Sequence, residues 1–168
     1  MEKQKPLKAY LLEKCLISFG VINGIVNAVI FYAMHAADTS ITFDFAGIVG
    51  DIAITTVVLG LILYLLVTPL TRKDVTADKF DIDEAAGFLG ARLPQGKALS
   101  VVLATFIPAL AITILVALCA LLLPLPLTII PMMIFKGFAC AIAGAFAGYI
   151  TVIRTATGMD SRLVGAAL

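Results

Sequence analysis

The sequence predicts an all-α integral membrane protein with four transmembrane helices and both termini in the cytoplasm. Three observations carry this expectation. Of 168 residues, 61% are hydrophobic and 14% charged, with a mean hydropathy of +1.09. A soluble domain is nearer half apolar and a quarter charged. Residues 15–34, 52–71, 98–135 and 137–153 are uncharged, and such runs suit the hydrocarbon core of a bilayer. Finally, the basic residues fall between alternate runs rather than evenly along the chain, which sets orientation.

The first helix is expected over about 10–34, because the uncharged stretch 15–34 is 20 residues long and spans roughly 30 Å. It is too long for the apolar part of a signal peptide. The "AMHAAD" that follows is a poor cleavage site, so the helix is expected to be retained. The second helix is expected over 46–70. The third run is 38 residues long, nearly twice a bilayer core, so it must turn back. Pro124 and Pro126 supply the break, leaving helices at 98–123 and 128–153. All 168 residues form one transmembrane domain.

Lys3, Lys5, Lys8 and Lys14 precede the first helix, and Arg72, Lys73, Lys79, Arg92 and Lys97 populate the loop 72–97. Arg154 and Arg162 follow the fourth helix, whereas the opposite loops, 35–45 and 124–127, hold no Lys or Arg. This asymmetry places both ends in the cytoplasm, and the inner membrane is the expected location. Within the long loop, Ile82, Ala85, Ala86, Leu89 and Leu93 form one helical stripe, behind acids at its start. That pattern predicts a short amphipathic helix, either an ordered connector or a surface contact. A weak echo at an offset of 85 residues relates Ile22 to Ile107, Tyr64 to Tyr149 and Val67 to Val152, and sets Asp51 against Lys136. If genuine, it makes two parallel two-helix repeats.

Counting inward from the cytoplasmic charges gives the depth of each polar group. Asn23 and Asn27 lie roughly 14 and 20 Å deep, bracketing the midplane. An unpaired amide there is costly. Gly20, Asn23, Gly24 and Asn27 share a stripe, so the amides either join helices at a close approach or line a polar cavity. Pro108 comes out roughly 16 Å deep, where it frees the carbonyl of Ala104. Asp51 and Lys136 both come out roughly 27–28 Å from the cytoplasmic boundary, near the outer surface, as a potential ion pair at the mouth of a solute path. Gly137, Ala141, Gly144 and Gly148 make a small-residue face on the fourth helix, suited to close packing inside the bundle or between protomers.

The expected function is a transporter or channel subunit for a small ion or solute, with Asn23, Asn27 and Pro108 as its mid-membrane site and Asp51 and Lys136 at the outer mouth. The alternative is a non-catalytic accessory subunit of a larger membrane complex. A homo-oligomer, most simply a dimer, is expected through the first or fourth helix. No enzyme activity, cofactor or nucleic-acid partner is expected. Cys15, Cys119 and Cys140 lie far apart, and His35 is the single histidine, so no metal site is expected. No phosphate-binding glycine loop or catalytic elbow is present.

Overall fold

The computed structural model describes residues 5–38, 40–80 and 96–166. Four helices are long and apolar enough to cross a membrane. Helix α1 spans Leu7–His35, and its Leu12–Val21 segment is wound as a π-helix. Helix α2 is Phe45–Thr76, α3 is Lys97–Ala120 and α4 is Ile129–Ala166. Helix α2 starts where the Asp44 carboxylate accepts the Gly47 N–H at 2.8 Å, closing one of the orphan donors of the first turn. It then runs through Pro69 and beyond the apolar stretch, ending six residues after the expected residue 70. Helix α4 likewise continues past residue 153. The apolar run marks the bilayer, whereas a helix can continue outside it. The stripe at 82–93 lies outside the described residues.

Helix α4 is the hub. It packs against α1, α2 and α3, and α2 also packs along α3, whereas α1 scarcely touches α3. The molecule is therefore an α2–α3–α4 core with α1 laid on the far flank of α4. The loops joining α1 to α2 and α3 to α4 are tied by a two-residue antiparallel ladder, with Thr42–Phe43 (β1) opposite Leu127–Thr128 (β2). Outward positions such as Leu12, Ile25, Val29, Leu65, Leu110 and Phe138 remain exposed. These are the side chains a bilayer would solvate.

The α1–α4 contact is backbone against backbone. A Cβ added to Gly24 would lie 2.6 Å from the Gly137 carbonyl oxygen and 2.8 Å from Ala141 Cβ. One on Gly20 would lie 3.1 Å from both the Ala141 oxygen and Ala145 Cβ. On the other side, Gly144 faces the Phe19 carbonyl and Gly148 faces the Phe19 ring. Without a hydrophobic force to bring helices together in lipid, such close approach supplies the dispersion contact that holds them.

Candidate functional site

The polar residues singled out in the sequence separate into two places. Asn23 and Asn27 sit half-buried on α1. The Asn23 side-chain N–H donates to the Phe19 carbonyl at 2.8 Å, and that of Asn27 to the Asn23 carbonyl at 2.9 Å. Each amide thus caps a carbonyl of its own helix, and its oxygen has no hydrogen-bond partner among the described residues. Pro108 is buried on α3, on the other side of the core. The Ala104 carbonyl that it deprives of an N–H faces α2, where a Cβ on Gly60 would lie 3.3 Å away. The structure does not bring Pro108 to the asparagines, because α4 stands between α1 and α3.

Asp51 and Lys136 do meet. The Lys136 ammonium hydrogen-bonds Asp51 Oδ1 at 2.9 Å and lies 2.7 Å from Oδ2, off the line of a hydrogen bond. The lysine side chain is 9% exposed and the aspartate 34%, so the cation is buried and the anion still reaches the surroundings. Phe31 of α1 places its ring 5.0 Å from the ammonium, a cation–π contact that also screens it. His35 and Phe43 stack around Phe31 at 4.4 and 5.2 Å, and His35 Nδ1 bonds the Phe31 carbonyl at 2.8 Å. At the other end of α4, Arg154 is 3% exposed and its Nε donates to Ser100 Oγ at 2.9 Å.

Compared with family models, curated proteins and solved structures, this chain matches none. Lys136 and Arg154 are 18 residues apart, five helical turns, so both project from one face of α4 about 27 Å apart. In the sequence Arg154 marks the topology and, by that same spacing, the depth of Lys136. Between these levels the core holds buried hydroxyls. Thr56 bonds the Ile52 carbonyl at 2.8 Å, Thr151 bonds the Ala147 carbonyl at 2.8 Å, and Thr105 has no hydrogen-bond partner among the described residues.

A second polar cluster escaped the sequence reading altogether. The Tyr10 hydroxyl donates to Asp74 Oδ2 at 2.8 Å, and Lys79 reaches Asp74 Oδ1 at 2.8 Å. Tyr10 stacks on Phe80 at 4.4 Å, and the Lys5 N–H bonds the Lys79 carbonyl at 3.0 Å. These contacts lock the start of α1 to the end of α2. Asp74 follows Arg72 and Lys73 in sequence, and nothing local links it to Tyr10.

Proposed function

We propose that the chain is a small membrane transporter or channel subunit for a small ion or solute. The observation that supports this reading is the buried cation at each end of α4, Lys136 and Arg154. Both stand at the boundaries of the apolar span yet are buried in the bundle rather than hydrated, which is costly and fits charged groups at the two ends of a solute path. The half-open Asp51–Lys136 pair forms the outer mouth, the Thr56, Thr105 and Thr151 hydroxyls line the way, and Arg154 stands at the inner end. Asn23 and Asn27 then serve α1 rather than the route.

The test is flux through liposomes containing the purified protein alone, over a panel of anions, cations and zwitterions. Flux of an ion or solute that changes in Asp51→Asn while the protein stays folded supports the reading. Absence of flux for every solute overturns it. The alternative, an accessory subunit in a larger complex, draws on the partnerless amide oxygens of Asn23 and Asn27, which another helix can meet at mid-membrane. It requires no flux and a co-purifying protein lost in Asn23→Leu/Asn27→Leu. The same amides would join two copies in a homodimer.

A further inference from the structure

At the end of the bundle that carries the termini, α1 and α2 flank a half-open cavity of about 370 Å³. That lies within the roughly 300–1,000 Å³ typical of small-molecule sites. Its walls include Tyr10, Lys14 and Ser18 from α1, Thr71, Lys73 and Asp74 from α2, and Lys79 beyond it. Three lysines face one carboxylate, and that carboxylate is already engaged on both oxygens, by Tyr10 and Lys79. Lys14 and Lys73 make no ion pair among the described residues. On the same wall, Thr71 is 1% exposed and its hydroxyl lies within reach of the Tyr10 hydroxyl. Among the described residues, the cavity therefore combines two ammonium groups that make no ion pair, Lys14 and Lys73, with the apolar side chains of Phe19 and Leu70.

We propose that this cavity binds a phosphate-bearing anion, with Lys14 and Lys73 as its charge partners. Asp74 does not repel such a ligand, because its charge is matched by Lys79. The position at the edge of two membrane-spanning helices admits a phosphate from either of two sources, the headgroup of an anionic lipid or a soluble phosphate ester. Ammonium groups held at a membrane surface attract either one, more strongly as their number rises. The site is independent of the route along α4, since it lies between α1 and α2.

The experiment is native mass spectrometry of the full chain released from phosphatidylcholine nanodiscs that contain a minor share of phosphatidic acid. The wild type should retain phosphatidic acid in preference to phosphatidylcholine. Lys14→Gln/Lys73→Gln should lower that preference about tenfold or more, and each single variant should lower it partially. Arg72→Gln removes an exposed charge at the same level without lining the cavity, and should leave the preference unchanged. Adding glycerol 3-phosphate separates the sources: displacement assigns the site to soluble esters, and retention assigns it to the lipid. Equal loss in Arg72→Gln, or no preference in the wild type with no binding of glycerol 3-phosphate, overturns the proposal. Thermal stabilisation of the wild type by phosphatidic acid, absent in the double variant, is the second readout.

Discussion

Alanine at Gly24 should leave the protein less stable than alanine at Gly50. Both glycines lie in helices and both gain the same helix propensity from a methyl group, about 1 kcal/mol. At Gly50 the added Cβ meets nothing within 4 Å. At Gly24 it would sit 2.6 Å from the Gly137 oxygen, about 0.8 Å short of the 3.4 Å at which ordinary contact begins. That neighbour is backbone and cannot swing aside, so α1 and α4 must part. A gap of about 0.5–1 Å forfeits a quarter to a half of each facing dispersion well, and overpacking of this kind costs about 1–3 kcal/mol. Propensity cancels in the comparison, so Gly24→Ala should be less stable than Gly50→Ala by about 1–3 kcal/mol. The assay is unfolding in mixed micelles with a denaturing detergent, followed by near-ultraviolet tyrosine dichroism, since the chain has four tyrosines and no tryptophan. A difference below about 0.5 kcal/mol, the scatter of neutral surface changes, refutes the α1–α4 contact. The same geometry bears on assembly, because leucine at Gly144 or Gly148 would meet Phe19 of its own chain before it met a second copy.

Asp51→Asn should destabilise the protein by about 3 kcal/mol and more than Lys136→Met, because it strands the more deeply buried partner. The reverse order in the same unfolding assay contradicts the burial argument. Tyr10→Phe removes a hydrogen bond to a charged group and should cost about 1.5 kcal/mol, the stack on Phe80 remaining; a neutral change would mean Tyr10 does not hold α1 to α2. In the α1–α2 loop, the Ser40 hydroxyl and backbone N–H hold Asp38 below its ordinary 3.8. The ionised form is thus the one the fold favours, so its contribution is present above that value and disappears as pH falls through the lowered one. Carboxyl NMR should show Asp38 moving up in Ser40→Ala, and an unmoved titration would exclude Ser40 as the cause. Cysteine labelling at Ser40 and Thr76 should occur from opposite faces of the membrane, and labelling of both from one face would overturn the topology.

The four spans could be read from the chain because the bilayer imposes a simple rule: about 20 uncharged residues between polar flanks. Pro124 and Pro126 placed the turn between α3 and α4 for an equally local reason. Helix ends outside the bilayer obey no such rule, and α2 therefore runs to Thr76 although its apolar run stops earlier. The small-residue stripes of α1 and α4 were visible as spacing, and Asp51 and Lys136 as charges at one depth. Which helices are neighbours was not visible. In lipid the outward and inward faces are both apolar, so periodicity does not say which face is buried, and partners are chosen by steric fit between backbones. Only the folded chain decides that α4 separates Asn23 and Asn27 from Pro108. The same arrangement joins Asp51 to Lys136 across 85 residues and Tyr10 to Asp74 across 64. Each of these depends on helix order and rotation, which arise from contacts distant in sequence.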